Sequence, residues 1–193
     1  MLPALAPRPF WFLRHGQTDW NAEGLSQGNV DIPLNATGLA QAGAAAEALR
    51  GRGIVRIIAS PLGRARTTAE IVARGLGLGV EIDEDLREAA FGVQEGQKMG
   101  PWFAEWLEGQ STPQGGESYA ALHARTVGAV NRALAESSPV LVVAHGALFR
   151  ALRDAMGLEV NVRTANAVPL WCEPGRAGAP WSLTPAADLP PAG

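Results

Sequence analysis

Cysteine is almost absent from this 193-residue chain: Cys172 stands alone, so no internal disulfide can hold the fold, and no Cys/His zinc spacing surrounds it. Long apolar runs are also missing. The longest, Pro139–Ala144, falls far short of the roughly 18–20 residues that a membrane helix needs. Met1–Phe12 is apolar but has no basic start, carries three prolines and runs straight into a polar motif, so it is expected to belong to the mature chain of a cytoplasmic protein. No Lys/Arg block exists, and 16 basic residues against 19 acidic ones leave a net charge of -3, which offers no electrostatic footprint for nucleic acid or an anionic membrane. With 23 Gly, 14 Pro and 6% aromatic residues the chain is rich in Ala, Gly and Arg, yet its apolar residues are spread throughout, which excludes global disorder. One domain over residues 1–193 is expected, standing on its core alone, with 186–193 a loose Pro/Ala-rich tail.

Apolar runs of strand length recur between helical patterns: Phe10–Leu13, Val55–Ala59, Val80–Ile82 and Val140–Ala144, with weaker runs at Ala167–Cys172 and Trp181–Leu183. That alternation predicts an α/β fold, a three-layer α/β/α sandwich around a mainly parallel, doubly wound sheet. Val140–Ala144 is apolar at every position, as a central strand covered on both faces must be. Helices are expected from Thr37 as N-cap to Arg50, from Ser60 as N-cap to about Gly75, within Lys98–Gly109, from Glu117 to Ala135 and from Ala147 to Met156.

Two of the three histidines end strands. Arg14-His15-Gly16 closes the first and His145-Gly146 closes the central one, at the carboxyl edge where open parallel sheets bind ligands. Ser60-Pro61-Leu62-Gly63-Arg64 leaves another strand at the same edge and brings Arg64 toward Arg14. Glycine after each histidine lets the backbone approach a ligand and expose N–H groups to an anion. Arg14 and Arg64 then make a permanently charged, multidentate phosphate clamp. Inside it a neutral imidazole can attack phosphorus, and Glu88 is a suitable acid for the departing alcohol and base for the incoming water. No metal or other cofactor is required. Two arginines would repel a cation, and metal-ligand spacings such as His-x-x-x-His are absent.

From Phe10 to about Val168 the chain resembles the histidine phosphatase superfamily, also called the phosphoglycerate mutase-like family. The resemblance rests on an ordered set: Arg14-His15-Gly16, Asn21 in Thr18-Asp19-Trp20-Asn21, Arg64-Ala65-Arg66-Thr67-Thr68-Ala69, Glu88, Gly115-Gly116-Glu117-Ser118 and His145-Gly146. It implies that His15 is the phosphorylated nucleophile, that Arg14, Arg64 and His145 form the phosphate pocket, and that Glu88 is the proton donor. It also implies that Asn21 is a further pocket contact and that Ser26-Gln27-Gly28-Asn29 lies near the mouth, adding Gln27 and Gly28 as binding candidates beside Gly146.

The family holds both phosphatases and mutases, and this chain departs from the mutases. They resemble it near the acid but carry Arg and Tyr where Ala89 and Phe91 stand, and Asn where Ala147 stands. Their insertion with adjacent arginines corresponds to Gln97–Gln114, whose only basic residue is Lys98. A small bisphosphate is therefore expected to be poorly retained, which favours a phosphomonoesterase on a small-molecule ester. Trp102, Phe103 and Trp106 suggest a less charged, partly apolar leaving group, although the two tryptophans fit an ordinary core face equally well. The alternatives are a cofactor-dependent phosphoglycerate mutase and a catalytically weak phospho-ligand binding module. His123 is expected to pack or face solvent, Glu117 and Ser118 to start the long helix, and Cys172 to be buried. No coiled coil or sticky stripe announces an oligomer.

Overall fold

A computed structural model describes residues 3–136 and 138–190. Its strands are β1 (Phe10–Arg14), β2 (Arg56–Ala59), β3 (Glu81–Ile82), β4 (Val140–Ala144), β5 (Leu170–Glu173) and β6 (Ser182–Pro185). Its helices are α1 (Asp19–Glu23), α2 (Ala36–Leu49), α3 (Gly63–Leu76), α4 (Trp102–Leu107), α5 (Tyr119–Ala135) and α6 (Gly146–Ala155). The strands make one six-stranded sheet in the order β3-β2-β4-β1-β5-β6. β3, β2, β4 and β1 run parallel, whereas β5 is antiparallel to β1 and β6 is antiparallel to β5. This is the mixed α/β, mostly parallel architecture that the alternation of apolar runs leads one to expect.

Alternation along the central strands fills both faces. Phe10, Phe12, Val140, Val142 and Ala144 join the apolar cluster under α4, α5 and α6. Trp11, Leu13, Leu141 and Val143 join the cluster under α2 and α3. Small residues let α2 and α3 lie close: Ala42, Ala45 and Ala46 of one helix and Ala65, Ala69 and Ala73 of the other are buried.

Several boundaries differ from expectation. α2 is capped by Asn35, whose side chain accepts from Gly38 N, rather than by Thr37. α3 starts at Gly63, because the Ser60 hydroxyl is committed elsewhere. α1 has no counterpart among the expected helices, although Thr18 and Asn21 form a reciprocal capping box. The expected loose tail is packed as far as it is described: residues 186–188 form one 3₁₀ turn, Ala186 is buried, and Arg52 donates to the carbonyls of Ala186 and Pro190. Residues 191–193 lie outside the described residues. Among those described, no helix is long and apolar enough to cross a membrane.

Candidate active site

Strand order decides which side chains meet. β4 lies between β2 and β1, and each neighbour continues the ladder one step past its end: Ser60 N donates to Val143 O at 3.0 Å and His15 N to Ala144 O at 3.0 Å. His145 therefore emerges between Ser60 and His15. Its Nε2 lies 2.7 Å from Ser60 Oγ, and its ring centre lies 5.2 Å from that of His15. Ser60 Oγ accepts from Leu62 N, and among the described residues its own proton has no acceptor other than His145 Nε2, so the hydroxyl donates there. That arrangement puts the imidazole proton on Nδ1, a buried atom with no protein partner.

The tautomer of His15 follows from its one bond. Nδ1 lies 2.7 Å from Gly16 O, and a carbonyl can only accept, so Nδ1 carries the proton and Nε2 keeps its lone pair. Burial, with Arg64 and Arg14 beside it, holds this imidazole well below its usual 6.5, against the opposing pull of the Gly16 carbonyl. His145 is held well below 6.5 as well, by burial first and then by Arg64, His15 and Arg14. Both are thus neutral near pH 7.

Arg64 is fixed by the first turn of α3. Its two terminal nitrogens donate to Gly28 O at 2.7 Å and Val30 O at 2.8 Å, and Nε is buried without a partner. One turn later Thr68 Oγ1 donates to Arg64 O at 2.7 Å and accepts from Gly16 N at 3.0 Å, tying α3 to the His15-Gly16 turn. Arg14 is half-buried, donates to Thr164 O at 2.6 Å and likewise leaves Nε unpartnered. Desolvation, together with Arg163, Arg150 and Arg64 nearby, lowers its pKa to about 10 despite the opposing charge of Glu88. Such a concentration of positive charge is relieved by a bound anion.

Glu88 takes up the helix-capping role that no side chain of α6 supplies. Its Oε1 accepts from Ala89 N and Leu148 N at 3.0 Å each, and its Oε2 from Ala147 N at 3.0 Å. Oε2 therefore retains one lone pair, and the carboxyl group borders the pocket. Arg125 on α5 secures this segment: it donates to the carbonyls of Asp85 and Arg87 at 2.7 Å and of Glu88 at 3.1 Å, and makes a bidentate pair with Glu117 at 2.7 Å. Ser118 caps α5, while Glu117 is half of this clamp rather than only a helix-start charge.

A cavity of about 320 Å³ opens onto Arg14, His15, Asn21, Gln27, Gly28, Arg64, Glu88 and Gly146 together. His145 is not among its lining residues and lies fully buried beside His15. Asn21 Oδ1 accepts from Thr18 N and from Asn166 Nδ2, so its Nδ2 remains a free donor. Gly28 has φ +52°, and a side chain there would collide with Glu95. Asn29 does not line the cavity.

Other parts of the pocket went unread in the sequence. Asn166 donates to His15 O at 2.9 Å, and Ala167, at φ 49°, donates its N–H to Arg14 O at 2.9 Å. Arg150 and Arg163 also line the cavity. Arg150 stands one turn after Gly146 on α6, a spacing that could have signalled it. Their presence adds two positive charges to the lining, beside the apolar residues that were expected there. Trp106 is fully buried, with its indole N–H on Glu117 O at 2.8 Å, and neither it nor Trp102 lines the cavity; Phe91, Phe103 and Met99 form the apolar wall. His123 is buried against Tyr119, and Cys172 is buried in β5, its thiol pushed up by desolvation.

The chain matches the model of the histidine phosphatase superfamily, branch 1, over residues 10–169. It is 35% identical over 174 residues to the probable phosphoglycerate mutase GpmB of Salmonella paratyphi B, covering 84% of this chain and 77% of that protein. Among solved structures, the mycobacterial glucosyl-3-phosphoglycerate phosphatase complexed with VO3 superposes with a TM-score of 0.80 at 32% identity, covering 91% of this chain and 97% of that one. TTHB049 from Thermus thermophilus gives 0.71 at 31% identity, covering 85% and 92%. With an Arg-His-Gly strand end, a second His-Gly and two arginines assembled at one sheet edge, this chain belongs to the histidine phosphatase superfamily.

Proposed function

We propose that the protein is a phosphomonoesterase acting on a small-molecule phosphate ester through a phosphohistidine on His15, without a metal or other cofactor. The observation that carries this reading is the His15 Nδ1–H bond to Gly16 O, which leaves a neutral Nε2 lone pair inside a cluster of arginines. In the first step Nε2 attacks phosphorus, the bond to the ester oxygen breaks, and the proton on Glu88 Oε2 passes to the departing alcohol. Arg14 and Arg64 bind the equatorial oxygens, with His145 Nδ1–H and Asn21 Nδ2 as further donors. In the second step the Glu88 carboxylate takes a proton from water as its oxygen attacks phosphorus. The P–N bond breaks and phosphate leaves. Gln27, Gly28 and Gly146 border the substrate.

Hydrolysis rather than mutation is supported by Ala89, Phe91 and Ala147 at the positions where mutases carry Arg, Tyr and Asn, and by the phosphatase activity named for a solved relative. One observation favours the mutase reading instead: Arg150 and Arg163 add positive charge beside the clamp. The two readings separate when the protein is incubated in EDTA with a panel of phosphate monoesters, including 3-phosphoglycerate with and without 2,3-bisphosphoglycerate. Free phosphate that disappears in His15→Ala supports the phosphatase. Primer-dependent isomerisation makes it a mutase, and silence across the panel leaves a phospho-ligand binding module.

A further inference from the structure

Asn21 reaches the pocket from an element that packing does not hold: α1 has five residues and buries none of them. Its amide nevertheless has one orientation. Thr18 N is a backbone donor and bonds only to an acceptor, so the atom 3.2 Å from it is Oδ1, and Nδ2 is the atom left over. A second amide agrees from the other side. Asn166 lies 145 residues further on, in the irregular segment between α6 and β5, with one atom 2.9 Å from His15 O and 3.2 Å from Asn21 Oδ1. Both partners are acceptors, so the bridging atom is Nδ2, and its two protons are spent, one on each.

The two ends of this bridge are not equally firm. The backbone around His15 is held on both sides: His15 N donates to Ala144 O at 3.0 Å, Gly16 N to Thr68 Oγ1 at 3.0 Å and Ala167 N to Arg14 O at 2.9 Å. Asn21 Oδ1 has only Thr18 N besides, among the described residues. That bond lies within the N-terminal cap of α1 and does not fix the helix over the sheet edge. Asn35 donates to Asp19 and Lys98 to Glu23 O, which tie α1 to neighbouring surface segments. The bond from Asn166 ties it to the strand end that carries His15. Asn166 does not itself line the cavity, so any effect it has on a ligand passes through what it holds.

We propose that Asn166 is a positioning residue for the phosphoryl group: by bridging His15 O to Asn21 Oδ1 it sets where the Asn21 amide donor stands relative to the nucleophile. This rests on the phosphomonoesterase reading above, in which Asn21 Nδ2 donates to the transferring group. A short helix with no buried face is thereby built into the site through one side chain. The same segment also holds Arg14, through Thr164 O and Ala167 N, so the role of Asn166 has to be separated from a general loosening of residues 160–168.

A double-mutant cycle on the intact protein makes that separation. Asn166→Ala and Asn21→Ala are prepared singly and together, and the dissociation constant of inorganic phosphate is measured by isothermal titration calorimetry. Asn21→Ala should weaken phosphate about tenfold, the contribution of one hydrogen bond to a charged group, and Asn166→Ala about threefold or more. In the Asn21→Ala protein the second substitution should change the constant by less than about twofold, because the group that it positions is gone. In ester hydrolysis the same pattern should appear in KM rather than kcat. Asn166→Ser, a milder replacement, runs through the same cycle if Asn166→Ala does not fold. Unchanged phosphate affinity in either single variant overturns the proposal. So does an equal loss from the Asn166 substitution in both backgrounds, which would show that it only holds its own segment. The expected pattern in phosphate binding, with no hydrolysis of any ester, would uphold Asn166 and count against the phosphatase reading instead.

Discussion

Arg125→Met removes the clamp behind Glu88, the proposed proton donor, without touching the pocket. Five hydrogen bonds are lost, to both carboxylate oxygens of Glu117 and to the carbonyls of Asp85, Arg87 and Glu88. The Arg125 and Glu117 side chains are only 20% and 19% exposed, so Glu117 is left largely desolvated and unpaired. Breaking such a pair costs about 3–5 kcal/mol. For a chain of this size that corresponds to a fall in melting temperature of about 6–20 °C, within the stability a folded protein can lose. Urea titration gives the free energy directly. Activity gives the positioning role: on the proposed mechanism alkyl phosphates need the proton from Glu88 and should lose kcat, whereas p-nitrophenyl phosphate, whose leaving group departs unprotonated, should lose far less. Equal losses on both esters would show that Arg125 supports the fold only, and a stability loss under about 1 kcal/mol would refute the desolvated-pair estimate.

Three further outcomes follow from the geometry. Because burial and the arginines depress His15, the acidic limb of the kcat/KM profile should lie well below 6.5, and a limb at the ordinary histidine position would contradict a buried nucleophile. The same depression makes stability depend on pH. Unfolded imidazoles take up protons below about 6.5 while folded His15 and His145 stay neutral, so the unfolded chain binds more protons and stability declines as the pH is lowered, at up to about 1.4 kcal/mol per unit per histidine. Urea midpoints measured from pH 8 to 5 should be flat above neutrality and then decline. Thr68→Val strands the buried Gly16 N–H and frees Arg64 O, and should cost about 1–3 kcal/mol with a rise in KM for phosphate esters; a silent substitution would mean that α3 does not hold the His15 turn.

The sheet edge was legible because its chemistry sits where periodicity ends: His15 and His145 follow apolar strands directly, and Arg64 opens the next helix. Asn21 was legible through resemblance alone, and Glu88 first as a carboxyl group following the Val80–Ile82 run and then through resemblance. Arg163 and Asn166 were not, because the chain from Met156 to β5 has no period. Its course is fixed by bonds to the backbone of Arg14 and His15, one of them from Ala167 in the left-handed region, where alanine is strained. Ser60 illustrates a local rule overridden: a residue well suited to cap a helix gives its hydroxyl to His145 because β2 neighbours β4. Trp102 and Trp106 look equally suited to wall or core in sequence, and the choice is made by Glu117 O, which satisfies the buried indole of Trp106.

The central claim is a covalent phosphoryl group on His15. Mixing the protein with a rapidly cleaved phosphate ester, quenching in alkali within the first turnover and mapping the phosphorylated peptide by mass spectrometry tests it directly. One phosphoryl group on the peptide carrying His15, absent from His15→Ala and discharged to free phosphate on standing, is the expected result. Phosphate release with no label at His15, or undiminished release by His15→Ala, would contradict it.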